Sequence, residues 1–239
     1  MEFERIADIK RVEFITGTLK EHLPLQAEVL DIGCGNGIIS RAIGQQGFHV
    51  TGIDVSEKTI AYARASNNLP NVRFEVIAAG ELQPGSKKYD AVICSEVLEH
   101  LYTPSQLLKI ISQLLKEKGV LVVTVPNGSG PRELFVTRPI QKLQKSNGIA
   151  WRIMNKIKSA LGYEGVTVQS SADDLSHIQF FTVRSLKKLA AETGFKVIKI
   201  VPANFIEQVF PFSLVYKRSK RLQKFDCSLA DKLPLSFTS

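Results

Sequence analysis

Hydrophobic positions along this 239-residue chain change period several times, and each change marks an element. Ile6, Ile9, Val12, Ile15 and Leu19 recur at helical spacing through residues 3–22, and Pro24 stops the run. Residues 27–32 form a short apolar run that reads as a buried strand. Ile38, Ile39, Ala42 and Ile43 predict a helix over 38–46. A strand over 48–53 and a helix over 57–66 follow, the latter with Ser56 as its N-cap. Further strands fall at 72–77, 89–94 and 119–125, with a helix at 107–115 between the last two. This alternation predicts an α/β fold: a parallel, doubly wound sheet with helices on both faces. Ligands of such sheets bind outside the carboxyl ends of the strands, where Gly33–Gly37, Asp54, Ala79 and Ser95 fall.

The rhythm stops from Asn127 to Ser176, and a stretch this long without strand pattern predicts a lid or substrate insertion after strand five. Within it, residues 140–161 set Leu143, Ile149, Trp151, Ile157 and Leu161 against Lys142, Lys145, Arg152 and Lys156. Asn147-Gly148 divides this stretch into two helices. Such a cationic amphipathic stripe either packs on the core or lies on an anionic membrane surface, and both readings stay open. The βα pattern resumes at His177 to Thr182, with Thr182 as N-cap of a helix to Thr193 and Gly194 beyond its end. Phe195 to Ile200 reads as strand six. Leu233 to Thr238 is the only candidate for a seventh strand, and Pro234 weakens it. The length suits one domain, residues 1–239, with 127–176 inserted in it.

Chemistry concentrates at Asp31-Ile32-Gly33-Cys34-Gly35-Asn36-Gly37, where a strand breaks into glycines at alternate positions and a helix follows at once. Glycine there lets the chain turn sharply and its backbone approach a ligand. Asp54 ends the next strand, and an acid at that distance suits the two hydroxyls of a ribose. The third glycine of a dinucleotide fingerprint is absent, because Ile38 stands in its place, and no phosphate-binding G-x-x-x-x-G-K-[ST] loop occurs.

The net charge of +8 is uneven: residues 1–125 hold 13 Lys and Arg against 15 Asp and Glu, and residues 126–239 hold 18 against 8. The basic half favours an anionic partner, although a merely solvated basic face would give the same count. No basic-aromatic pattern of an RNA-binding module accompanies it, which argues against nucleic acid. Three isolated cysteines, no apolar run of spanning length and an acidic N-terminus predict a cytoplasmic protein, with peripheral membrane contact left open.

The nonapeptide around Gly33–Gly37 with its spaced Asp54 resembles the first motif of class I S-adenosylmethionine-dependent methyltransferases. Ser95-Glu96-Val97-Leu98-Glu99-His100 is similar to that family's segment after strand four. Val125-Pro126-Asn127 with His177 to Thr182 resembles a bacterial subgroup acting on small molecules and lipid-linked glycans. The Glu-x-x-Glu-His spacing and basic insertion are also similar to ubiquinone-biosynthesis O-methyltransferases. The resemblance implies a Rossmann-like methyltransferase sheet and S-adenosylmethionine as cofactor. It places the cofactor on Asp31, Gly33, Cys34, Gly35, Asn36, Gly37, Asp54, Val55, Ala79 and Ser95. An acid that would bind the adenine amino group after strand three is missing, the segment being Ala78-Ala79-Gly80-Glu81, which leaves Glu81 or backbone groups for that task.

Methyl transfer needs an oriented acceptor and a base for its proton. His100 is the first candidate base and His177 the second, with Glu96 beside them. On a continuous helix Glu96 would share a face with Glu99 and His100. The three could instead hold a divalent cation that acidifies a hydroxyl. The expected reaction is O-methylation of a small-molecule or lipid-linked glycan acceptor. RNA or protein methylation, or cofactor binding without catalysis, are the alternatives.

Overall fold

The computed structural model describes residues 5–83, 85, 87–131, 133–137, 178–207, 209, 212–216, 219–235 and 238. Its first half is βα in rhythm, as the periodicity predicts. Helix α1 (Ile6–His22) precedes β1 (Glu28–Ile32), α2 (Ile38–Gly44), β2 (His49–Asp54), α3 (Glu57–Ala65), β3 (Val72–Val76) and β4 (Tyr89–Ser95). Helix α4 (Pro104–Leu114) and β5 (Leu115–Thr124) complete the sheet, whose strand order is β3-β2-β1-β4-β5. All four pairings are parallel, and the order reverses at β1, so β1 and β4 carry the crevice of a doubly wound sheet.

Alternation along each strand divides the core between two faces. Val29 of β1, Val50 of β2 and Ile93 of β4 pack with Ile15 and Leu19 of α1, Ile39 and Ile43 of α2, and Ile60 of α3. Leu30 and Ile32 of β1 point the other way, with Val92, Cys94 and the α4 side chains Leu107, Leu108, Ile111 and Leu114. The i, i+1, i+4, i+7 spacing of those three leucines and one isoleucine explains why this segment is a helix and which face it buries. Pro104 stands at its first turn, where no N–H is required. Ser56 accepts from the Thr59 N–H at 3.3 Å, and Thr182 accepts from Ser185 at 3.1 Å to open α5 (Val183–Glu192). Both caps follow the sequence reading, and Gly194, at φ +85°, closes α5 as expected.

One expectation fails at the sheet's outer edge. Residues 195–200 are not a strand, and the described part of the seventh-strand candidate, 233–235, shows none. The chain from Gly194 to Asn204 instead faces β5 across a cavity that both line, so no ladder forms between them. The C-terminal stretch is tied elsewhere: the Asn127 side-chain amide donates to the carbonyls of Leu235 and Thr238 at 2.8 and 2.6 Å. Strand five begins earlier than Gly119. Leu115 already pairs with Tyr89, and Lys116 to Gly119 are accommodated as a register irregularity with Lys118 at φ +65°.

Beyond the sheet, α7 (Lys220–Ala230) packs against α1, and α6 (Phe212–Tyr216) packs against α7. Asp226 is the buried knot there. Its carboxylate accepts the backbone N–H groups of Phe205, Ile206 and Glu207 at 2.8, 3.0 and 3.3 Å. The insertion predicted over 127–176, including the helices at 140–161, lies mostly outside the described residues, as does His177.

Candidate active site

Sheet geometry brings the carboxyl ends of β1, β2 and β4 together around the glycine loop. The N–H groups of Gly33 and Cys34 both donate to the Ile53 carbonyl, at 2.8 and 2.9 Å, which staples the loop to the end of β2. Gly35 donates to Asp54 Oδ2 at 3.0 Å and Ser56 donates to Oδ1 at 2.9 Å. The Asp54 carboxylate is therefore fixed before any ligand arrives. Each oxygen keeps lone-pair capacity for a ribose hydroxyl.

The glycines answer to the protein's own packing as well as to a ligand. Gly33 and Gly37 have φ of +69° and +75°, a region that costs other residues about 1–2 kcal/mol. A Cβ at Gly33 would lie 2.4 Å from Val97 Cγ2, and one at Gly37 would lie 2.4 Å from Phe74 Cζ. Val97 and Phe74 thus press the loop from behind and hold its backbone toward the open side. Neither was singled out in sequence, because each reads as an ordinary core residue.

The remaining predicted cofactor residues separate by environment. Asn36 caps the start of α2, its Oδ1 accepting from the Ile38 N–H at 3.2 Å. Cys34 is buried, and burial pushes its thiol far above the usual range, so it acts as a small apolar side chain. Val55 follows Asp54 and is 71% exposed. Ala79 opens a short 3-10 turn, and Glu81 caps that turn by accepting from the Ala78 N–H at 3.3 Å. Ser95 is buried at the end of β4, its hydroxyl 2.8 Å from that of Thr124.

Asp31 is 1% exposed, and its Oδ2 accepts from the Ser40 hydroxyl at 2.5 Å. Burial pushes its carboxyl pKa up to about 7, the Ser40 bond opposing that rise and the charge of Asp54 adding to it. A raised carboxyl binds its proton more tightly in the folded state than unfolded. Its contribution to stability is therefore full below the unfolded value of about 4 and is lost as pH rises through about 7. The free energy of chemical unfolding of the parent chain is expected to fall by roughly 3–4 kcal/mol from pH 4 to pH 8 relative to Asp31→Asn. Parallel pH profiles for the two proteins would show that Asp31 does not titrate there.

The segment after β4 is not the helix that the Glu-x-x-Glu-His spacing suggested. Glu96 sits at φ +57°, its N–H bound to the Thr124 carbonyl at 2.9 Å and its Oε1 accepting from the Thr124 hydroxyl at 3.1 Å. Only Leu98–His100 forms a 3-10 turn. The three therefore do not share the helical face expected of them: Glu96 is placed by β5, whereas Glu99 and His100 are placed by the turn. Glu99 is buried, and burial together with the nearby Glu96 charge raises it above the ordinary carboxylate range, with Arg11 opposing. His100 Nε2 lies 3.8 Å from Glu99 Oε1, too far for a hydrogen bond. Returning after the insertion, Ile178 and Gln179 both donate to the Glu99 carbonyl, at 2.8 and 2.9 Å, and close this turn from outside. Among the described residues no three His, Cys, Asp or Glu side chains form a group able to hold a metal ion, so the trio gains no support as a cation site.

Thr124, which has no distinctive mark in the sequence, joins the ends of β4 and β5. It pairs in register with Ser95, so its hydroxyl bridges the ends of β4 and β5 and orients both Ser95 and Glu96. Its only linear signal is being the last polar residue of strand five. A cavity of about 870 Å³ runs from Glu96 and Glu133 along β5, between α1 and the 194–204 segment. It does not include the glycine loop or Asp54.

The model of a methyltransferase domain family matches residues 4–200, which spans every element placed around this loop. The chain belongs to the class I S-adenosylmethionine-dependent methyltransferase family. It is 34% identical over 121 residues to a ubiquinone biosynthesis O-methyltransferase of Rickettsia bellii, covering 49% of this chain and 50% of that protein. It is 37% identical over 106 residues to the Leptothrix cholodnii protein of the same name, covering 42% and 44%. The chain thus spans about half the length of the curated relatives it matches. A putative S-adenosylmethionine-dependent methyltransferase structure from Listeria monocytogenes matches with a TM-score of 0.55 at 20% identity, over 87% of this chain and 94% of that one. A Bacillus subtilis structure, YcgJ, matches with a TM-score of 0.56 at 16% identity, over 77% and 67%. At such identity these structures speak for the fold alone. The family membership and the observed five-stranded parallel sheet agree with the fold class expected from sequence.

Proposed function

We propose that this protein transfers the methyl group of S-adenosylmethionine to a hydroxyl oxygen of a small-molecule or lipid-linked glycan acceptor of anionic character. One observation carries the reading: the Gly33–Gly37 loop is bound to Asp54 through the Gly35 N–H, so cradle and ribose acceptor form one unit. Bound there, S-adenosylmethionine supplies an electrophilic methyl on a cationic sulfur and departs as neutral S-adenosylhomocysteine. The chain's tasks are then to hold the cofactor, to orient the acceptor and to remove its proton.

In this reading Asp54 takes the ribose hydroxyls and the loop backbone faces the methionine portion. Ser95 and Glu96, fixed by Thr124, border the acceptor side. His100 receives the proton released by the acceptor hydroxyl. The names of the ubiquinone O-methyltransferases support oxygen as the acceptor atom. The basic excess of residues 126–239 supports an anionic acceptor.

Calorimetry with S-adenosylmethionine tests the cradle. Asp54→Ala is expected to weaken binding by about 1–3 kcal/mol, roughly 5- to 150-fold, as loss of charge-assisted hydrogen bonds would. Equal affinity in parent and variant would reject the ribose assignment.

A further inference from the structure

Helices α6 and α7 leave apolar side chains facing outward that the catalytic reading does not use. Helix α7 buries Gln223, Asp226, Cys227 and Ala230 against the body of the protein. Its outer side carries Leu222 and Phe225 one turn apart, and Phe225 is 63% exposed. The preceding α6 buries Ser213 and Tyr216 and exposes Phe212 and Val215 at the same i, i+3 spacing. The two helices are joined where the Gln223 amide donates to the Tyr216 carbonyl at 2.8 Å.

Charge says what this surface suits. Lys220, Arg221 and Lys224 are all exposed on α7. The helix has one acid, Asp226, and that acid is turned inward onto three backbone N–H groups. The solvent side of α7 therefore presents cations and apolar groups with no carboxylate among them. An isologous contact with a second copy would set these cations against each other. An extended anionic surface with an apolar interior satisfies both sets at once.

We propose that α6 and α7 form an interfacial docking surface for anionic phospholipid membranes. Phe212, Val215, Leu222 and Phe225 enter the acyl boundary, and Lys220, Arg221 and Lys224 rest on headgroup phosphates. No helix among the described residues is long and apolar enough to cross a membrane, so this contact is peripheral. Docking here is independent of the predicted amphipathic stretch at 140–161 and of the acceptor's identity.

The test is sedimentation of the full chain with phosphatidylglycerol-containing vesicles and with pure phosphatidylcholine vesicles. The parent should sediment with the first, in a salt-sensitive manner, and far less with the second. Joint replacement of Lys220, Arg221 and Lys224 by glutamine should lower partitioning about 100-fold, each cation being worth about fivefold. Phe225→Ser should lower it about tenfold at every salt concentration. All four positions are exposed, so folding is preserved, which circular dichroism checks. Equal binding of parent and variants would overturn the proposal and place any membrane contact elsewhere, and so would equal binding to both vesicle types. A change in sedimentation velocity of the vesicle-free protein on Phe225→Ser would also overturn it, by showing a protein–protein surface.

Discussion

His100→Ala is expected to cut turnover by roughly 10²–10⁴ while leaving S-adenosylmethionine affinity within about twofold of the parent, the usual signature of a lost general base. The asymmetry follows from position. His100 closes the 3-10 turn after β4, whereas the cofactor cradle is built from β1, β2 and the loop between β1 and α2. Its effect is therefore expected in turnover and not in cofactor binding. The measurement is formation of S-adenosylhomocysteine from labelled cofactor with any hydroxylated acceptor that the parent methylates, alongside calorimetry of cofactor binding. Added imidazole should restore part of the lost rate. A variant that turns over at the parental rate would remove His100 from the mechanism and make His177 the next residue to replace. A variant that loses cofactor affinity in proportion to rate would instead assign His100 to building the site.

Gly37→Val is expected to be the most damaging single change to the fold itself. The position combines a left-handed backbone, φ +75°, with a Cβ site 2.4 Å from Phe74 Cζ and 3.1 Å from Ala63 Cβ. A branched side chain adds roughly 1–2 kcal/mol of backbone strain. Forcing Phe74 and Ala63 aside adds roughly 1–3 kcal/mol more. The sum, about 2–5 kcal/mol, corresponds to a fall of roughly 5–15 °C in melting temperature for a chain of this size. Combining the change with Phe74→Leu should relieve the clash and leave the strain, so the double variant should lose less stability than the sum of the two single losses. Scanning calorimetry reads all four proteins. A Gly37→Val protein that melts with the parent would show that the loop and Phe74 are not pressed together as described.

Much of the cradle was legible in the linear sequence because its determinants are local. Three glycines at alternate positions after an apolar run can form only a sharp strand-to-helix turn. Asp54 ends the neighbouring strand because the apolar period of 48–53 stops there. Ser56 and Thr182 could be assigned as caps for the same reason, since a cap contacts residues three positions away.

What failed involved partners distant in sequence. Phe195 to Ile200 has a strand's composition, yet ladder formation depends on a neighbour at hydrogen-bonding distance, and a cavity separates this stretch from β5. The Glu96, Glu99 and His100 spacing fits one helical face, but a tertiary bond from Thr124 holds Glu96 in a left-handed conformation and breaks that face. Thr124 itself and the Val97 and Phe74 side chains behind the glycines have no linear signature. Their roles exist only once β5 lies beside β4, and β3 beside β2. By itself the sequence determined the alternating elements, the glycine turn and the acid that faces it, because periodicity and turn chemistry act within a few residues. Tertiary structure alone decided which protons, charges and backbone angles meet beside that turn, because register between parallel strands is set by packing across the whole sheet.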